Sequence, residues 1–345
     1  MKAVVVHGVA DLRIDEVPEP AHCPPGSVIV EVDYGGICGS DLHYVSHGSA
    51  GTSVLRHPLV LGHELSGRIA RIADDVLDLR VGQPVTIHPG TGCGECRYCQ
   101  GQLAHLCVRM RYFGSAAHDP HTDGGFVRRK VVPASQIRPL PPWVDLRSAA
   151  VVEPLSVALH AVRRAGELAG KTVLVNGTGP IGALVVAIAR RLGAAQVYAV
   201  DIASAPLAIA KALGAHETID ASTVSELPEA EIAFEASGSP AGLSNVVRWL
   251  PRRATLVQVG NLPVGAVSVD LSALVSKEIS YLGSFRFDRE ITDAIDFLAT
   301  GLDVTPLITH VFEVAKAEEA FAVARDRAGG AGKVLLDFTS EPGHL

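Results

Sequence analysis

Four cysteines spaced Cys93-x2-Cys96-x2-Cys99-x7-Cys107 constrain the fold of this chain more than any other feature. They lie on a stretch rich in glycine (Gly90, Gly92, Gly94, Gly101), so the backbone between them can wrap around one ion. Four thiolates at about 2.3 Å form a closed tetrahedral zinc site, which is structural because it leaves no position for substrate. Disulfides or redox thiols are the other reading of such a cluster, and the choice turns on compartment. The opening MKAVVVHGVADLRIDE is a short apolar run broken by His7 and acids, not the pattern of an export signal. A cytoplasmic location with reduced cysteines is therefore expected, which favours metal. Cys23, beside Pro24 and Pro25, receives no role.

A chain of 345 residues can hold two domains, each with its own core. The net charge is −7, and no basic run exceeds Arg128-Arg129-Lys130. Such a surface is a poor match for nucleic acid or anionic lipid. The apolar run 181–189 is too short to span a bilayer. Neither nucleic acid nor membrane is expected as a partner.

Residues 1–140 alternate short Val/Ile-rich runs with Gly/Pro turns, as in SVIVEVDYGG and LSGRIARIA, and read as an irregular β-rich domain. A helix is expected over Val151–Ala165. From Lys171 strand-like runs alternate with helical ones: KTVLVNG, AQVYAVD, HETID, EIAFEAS, ATLVQVG and EISYLGS. Six strands with crossover helices predict an α/β fold with a doubly wound parallel sheet. A helix over Ile291–Ala299, the run ITHVFEV, a helix near Ala317–Ala328 and the strand KVLLDF follow, and this tail is expected to return to the first domain. The expected division is 1–150 with the cysteine lobe at 90–108, then 151–285, then 286–345.

Gly177-Thr-Gly179-Pro180-Ile181-Gly182 follows a strand and opens a helix, the context a dinucleotide-binding turn requires. Gly177 permits the turn, Gly179 lets a pyrophosphate approach the backbone, and Gly182 lets helix and strand pack closely. The helix N-terminus offers free N–H groups and a positive dipole end to phosphate. Asp201 ends the next strand, where a carboxylate accepts ribose hydroxyls and repels a 2′-phosphate. No Arg or Lys follows before Lys211, so NAD is favoured over NADP, with dual use left open.

Cys38, His63 and Glu64 lie in GGICGSDLHY and VLGHELSG, all in Gly-flanked turns beside β-runs. A thiolate, an imidazole and a carboxylate with one open position are the catalytic arrangement for zinc. Glu153, in VVEPLSVALH, is a fourth candidate that either ligates the metal or holds its water. Two zinc ions per chain are expected, one structural and one catalytic.

These pieces together resemble the zinc-containing medium-chain dehydrogenases over nearly the whole chain. The matching segments are GGICGSDLHY, GHE, the four-cysteine lobe, EPLSVALHA and GTGPIG. The resemblance implies a GroES-like catalytic domain joined to a Rossmann cofactor domain. Glu153 stands where alcohol dehydrogenases typically have Cys, which resembles the polyol branch. A narrower resemblance, to L-idonate 5-dehydrogenases, is carried by Met110–Gly114 (MRYFG), Ser115, HTDGGF, AGELAGK and Gly283-Ser284-Phe285-Arg286-Phe287.

The activity so implied is oxidation of a secondary alcohol on a polyhydroxylated substrate by hydride transfer to the nicotinamide. Ser40 and His43 resemble the family's proton relay, and Asp41 is placed to orient a ligand from behind. Val259, Gly260, Ser284, Phe285 and Arg286 join the glycines and Asp201 as cofactor contacts. Tyr44, Phe113 and Ser115 are expected as pocket walls. Arg286 is the first candidate for holding a substrate carboxylate, ahead of Arg109 and Arg111. L-Idonate, oxidised to 5-ketogluconate, is the substrate expected, with sorbitol, L-iditol or xylitol as the neutral alternative. An L-threonine-type dehydrogenase and a non-catalytic NAD-binding protein are the further alternatives. Homodimers or homotetramers are expected, built partly by edge strands near EISYLGS.

Overall fold

The structure is a computed structural model and describes residues 1–326 and 329–340. The strand Ser27–Gly36 is the axis of the first domain. Its sequence, SVIVEVDYGG, is buried at every position except Tyr34, and it pairs with Glu64–Ile72, Arg129–Pro133 and Lys333–Asp337. A strand covered on both faces has no solvent side to fill with polar residues, hence the near-continuous apolar run. The full sheet has seven strands: 137–139, 84–87, 64–72, 27–36, 333–337 and 308–313 in order, with 129–133 also on 27–36. A three-stranded sheet of 11–16, 2–8 and 59–60 lies beside it. Val28, Val30, Val32, Leu61, Leu65, Phe126 and Phe338 fill the core between them.

The second sheet has six parallel strands: 217–220, 196–201, 172–176, 232–235, 255–258 and 280–283. All six expected strands are present, and their order is that of a Rossmann sheet, with its topological switch point between 172–176 and 232–235. Helix Pro180–Arg191 is buried from Gly182 to Ala189. Helix Val152–Ala165 turns Val152, Leu155, Leu159 and Val162 inward, at the spacing of one helical face. Arg163 and Arg164 occupy its last turn, where the helix dipole favours cations.

The segment after residue 286 divides its packing. Phe287 and helix Glu290–Ala299 belong to the core of the six-stranded sheet, with Ile291 and Ile295 against the same cluster as Leu155. The chain re-enters the first sheet only with Ile308–Glu313 and Lys333–Asp337. A helix runs from Ala317 to Arg325, and Ala328, where it was expected to reach, lies outside the described residues. Among the described residues no helix is long and apolar enough to cross a membrane.

Candidate active site

Among the described residues, two groups of His, Cys, Asp or Glu bring ligand atoms within 4.8 Å of one another: Cys93, Cys96, Cys99 and Cys107; and Cys38, His63 and Glu64. In the first, a one-turn helix at Arg97–Gln100 and a 3-10 turn at Ala104–Leu106 fold the loop back on itself. Backbone N–H groups of Glu95 and Cys96 bring the Cys93 thiol down to about 6, whereas burial pushes Cys99 up to about 12. Four thiols and no other donor are the chemistry of a closed zinc site. No two of these sulfurs are bonded to each other.

The second group is built across the central strand. Gly36 pairs with Glu64 in the sheet, and a Cβ at Gly36 would lie 2.1 Å from Glu64 Oε2. Only glycine there lets the carboxylate lie flat across the strand. Cys38 caps helix Gly39–His47, with its backbone N–H donating to Asp41 Oδ2 at 2.9 Å. The other oxygen of Asp41, fully buried, lies 3.7 Å from His63 Nδ1. With Nδ1 turned to that carboxylate, Nε2 of His63 would be the nitrogen available to a metal. Burial opposes a charge on His63, but Asp41 and Cys38 outweigh it and hold its pKa well above the usual histidine value.

Behind Glu64 stands Lys333, from the closing strand. Its buried Nζ donates to Glu64 Oε1 at 2.7 Å and to the Ile37 carbonyl at 3.1 Å. Burial disfavours the ammonium, but Glu64 restores it and holds the pKa above the ordinary lysine value. Glu64 Oε2 also lies 2.7 Å from the Lys333 ammonium, while Asp41 Oδ1 is buried with no hydrogen-bond partner. A thiol, an imidazole nitrogen and a carboxylate oxygen that converge within 4.8 Å of one another fit a divalent zinc ion.

Glu153 stands outside the three-donor group. It is buried at the start of helix Val152–Ala165, and its Oε1 accepts a hydrogen bond from the Tyr112 hydroxyl at 2.5 Å. Burial pushes its carboxyl up, and the nearby Glu64 charge adds to this against the pull of His63. Burial and the Glu153 charge drive the Tyr112 phenol well above its ordinary value, so the phenol is the donor. The ring of Tyr112 packs edge-on to His63 at 5.7 Å, and the Arg286 guanidinium lies 4.4 Å from its centroid. Arg286 also covers Phe285 at 4.8 Å, at a left-handed φ of 55°.

Ser40 and His43 sit on helix Gly39–His47, Ser40 half-buried and His43 exposed. His43 Nδ1 is 3.4 Å from His47 Nδ1, one turn further. Of the residues expected as pocket walls, Tyr44 and Phe113 are buried in the first-domain core. The Tyr44 hydroxyl accepts the Ala116 N–H at 2.9 Å, Lys130 Nζ sits 4.8 Å over the Phe113 ring, and Ser115 bridges to Thr122. Arg109 pairs with Glu95 on the cysteine lobe, and Arg111 donates to the Pro120 carbonyl at 3.1 Å.

The dinucleotide turn stands at the switch point. Gly177 has φ 86°, and a Cβ at Gly182 would lie 1.9 Å from the Gly177 carbonyl oxygen. Gly179 caps helix Pro180–Arg191, with Pro180 and Ile181 in its first turn. Asp201 Oδ2 accepts the Thr178 N–H at 2.7 Å, and its Oδ1 accepts that of Ile202 at 2.8 Å. Val259 and Gly260 both donate to the Glu235 carbonyl at 2.8 Å. Ser284 Oγ, at the C-terminal edge of the sheet, is buried without a partner. An N–H-lined turn, a ribose-side carboxylate and an unspent hydroxyl fit a dinucleotide.

Two residues at this site escaped the sequence analysis. Tyr112 leaves a weak signal, an aromatic pair with Phe113 in a Gly-adjacent loop, which does not say which ring faces the site. Lys333 left only the oddity of a cation opening an apolar strand.

The sequence profile of the alcohol dehydrogenase GroES-like domain matches residues 24–142, and that of the zinc-binding dehydrogenases matches 180–300. The chain is 39% identical over 317 residues to the L-idonate 5-dehydrogenase (NAD(P)(+)) of Escherichia coli strain K12, covering 90% of this chain and 91% of the relative. It is 34% identical over 347 residues to the D-xylulose reductase A of Aspergillus niger, covering 96% and 95%. The crystal structure of L-idonate 5-dehydrogenase from Escherichia coli K-12 superposes with a TM-score of 0.92 at 37% identity, covering 98% of each chain.

Proposed function

The chain belongs to the zinc-containing medium-chain alcohol and polyol dehydrogenases, oxidoreductases that act on CH–OH donors, and from that premise we propose that it oxidises L-idonate at C5 to 5-ketogluconate with NAD as hydride acceptor. The observation that carries the aldonate reading is Arg286. Its guanidinium rests on the ring of Tyr112, which meets Glu153 and His63, and on that of Phe285, with no carboxylate partner among the described residues. A substrate with a C1 carboxylate supplies the missing anion through a paired, charge-assisted contact, and a neutral polyol does not.

Cys38, His63 and Glu64 hold the catalytic zinc, and the four lobe cysteines hold the structural one. When bound, the catalytic ion supplies Lewis acidity, lowering the pKa of a substrate hydroxyl and polarising the ketone in reverse. The residues of the chain do the rest. Asp41 fixes the tautomer of His63, and Glu153 orders the open side of the site. Ser40 receives the substrate proton and His43, exposed to water, releases it, so the hydride donor stays sheltered. The turn at Gly177–Gly182 receives the pyrophosphate, Asp201 the adenosine ribose, and Val259, Gly260, Ser284 and Phe285 flank the nicotinamide half. The protein acts in the cytoplasm as a homodimer or homotetramer, with the exposed edge strand Ser280–Gly283 at the contact.

Initial rates of NADH formation with L-idonate, L-iditol, sorbitol and xylitol at one pH test this reading. A clear preference for L-idonate, with Arg286→Ala lowering kcat/KM far more for L-idonate than for the neutral polyols, is the expected result. Faster turnover of the neutral polyols sinks the aldonate assignment and favours the activity named for the fungal relatives.

A further inference from the structure

We propose that Tyr112 is a positioning residue that fixes the Glu153 carboxylate against the catalytic metal group, and that its own position is set by the four-cysteine lobe. This rests on the role given to Glu153 above. Three contacts converge on the one ring. The hydroxyl donates to Glu153 Oε1 at 2.5 Å, the edge meets His63 at 5.7 Å, and Arg286 covers its face at 4.4 Å. The backbone of the same residue belongs to the lobe. Arg111–Tyr112 pairs with Gly90–Thr91 at the lobe's neck, and Tyr112 clusters with Cys107, Met110 and the other three cysteines. Gly90 is the partner that makes room, since a Cβ there would meet the ring at 3.1 Å.

A carboxylate at the start of a helix has rotamers to explore unless something holds it. Glu153 lies outside the group whose donors fall within 4.8 Å, so the convergence of the metal ligands does not hold it. The Tyr112 hydroxyl supplies a fixed donor on a ring gripped from two sides. An outer partner of this kind typically changes metal retention or turnover about tenfold or more when removed.

The test is Tyr112→Phe, which deletes one oxygen and keeps the ring. It is measured beside Glu153→Ala and the double variant. Zinc release to a chromogenic chelator is followed together with kcat and KM for the alcohol. We expect Tyr112→Phe to release one of its two zincs about tenfold faster and to lose about tenfold in kcat. The KM for NAD and the melting temperature should stay as in the parent, because the dinucleotide turn and the core are untouched. On the Glu153→Ala background the same substitution should add nothing, which is the mark of one shared interaction. Unchanged release and kcat in Tyr112→Phe overturn the inference, and so does a loss repeated in full on the Glu153→Ala background. If Glu153→Ala itself behaves as the parent, the role of Glu153 falls and the inference falls with it. If Glu153→Ala is impaired while Tyr112→Phe is silent, only the inference falls.

Discussion

The two groups of side chains proposed to hold metal are assembled over very different lengths of chain. The lobe takes all four donors from one loop, Cys93 to Cys107, and surrounds them mostly with its own backbone. The other group joins a helix cap, Cys38, to a strand start, His63 and Glu64, and leans on Lys333, 269 positions beyond Glu64. The lobe cysteines are half-exposed apart from Cys107, whereas His63 and Glu64 are buried. A local loop can close around an ion with little help from the rest of the fold. A group whose donors are far apart forms only once the whole sheet has formed, so there the fold builds the site and the ion is not what holds the fold together.

The largest effect should come from removing one ligand of each group. Cys38→Ser should cost one zinc per chain and at least on the order of 10³ in kcat, with NADH binding and melting temperature nearly unchanged. Cys96→Ser should cost the other zinc and lower the melting temperature or break assembly, while the cofactor domain still binds NADH. Metal analysis, calorimetry and NADH fluorescence separate the two patterns. A shared pattern for both variants would refute the division into a catalytic and a structural group.

This contrast also explains what could be read from the sequence. The lobe is legible because its donors are spaced at the reach of one ion, and the six strands because short apolar runs bounded by turns alternate with helical ones. Cys38, His63 and Glu64 are 25 or more positions apart across the first gap, so their convergence rested on turn context and on resemblance. Lys333 carries no local sign of its partner, since strand pairing over 269 residues brings it to Glu64. Tyr44 and Phe113 show the same limit of local sequence, since both are buried in the first-domain core. An aromatic next to a loop can face the pocket or the core, and here the Ala116 N–H draws the Tyr44 hydroxyl inward.

The next effect sharpens the comparison at Lys333. Lys333→Met leaves Glu64 buried without its cation, and breaking such a pair costs about 3–5 kcal/mol. Zinc offers the same carboxylate a second positive partner, so the loss should be clearly smaller in the zinc-loaded protein than after chelation. Denaturant titrations of both forms measure this. Equal losses with and without zinc would mean that Glu64 answers to Lys333 alone and contributes nothing to the ion.

The smallest effect lies at the seam where the lobe meets the rest. His105, between Cys99 and Cys107, stacks edge-on to His160 at 4.7 Å, on the same helix that begins near Glu153. Glu290 stands behind His160, with its Oε1 3.1 Å from the ring Nδ1 and 3.3 Å from Arg163. Burial pushes its carboxyl up, yet the His160 and Asp288 N–H bonds outweigh this and hold it down to about 2. A carboxyl depressed on folding stabilises the protein only while it is ionised. Its contribution is therefore complete above the unfolded value of about 4.3, and it disappears as pH falls from there toward 2. Arg163 is half-exposed and screened, so the contribution is small. Glu290→Gln should lower the melting temperature by about 2 °C at pH 7, with both zincs retained, and the gap should narrow from about pH 4 and close toward pH 2. A gap that persists unchanged at pH 3 would remove the Glu290 charge from the account. The lobe would then dock through the apposed rings of His105 and His160 and the Gln102–Arg289 contact, by packing more than by charge.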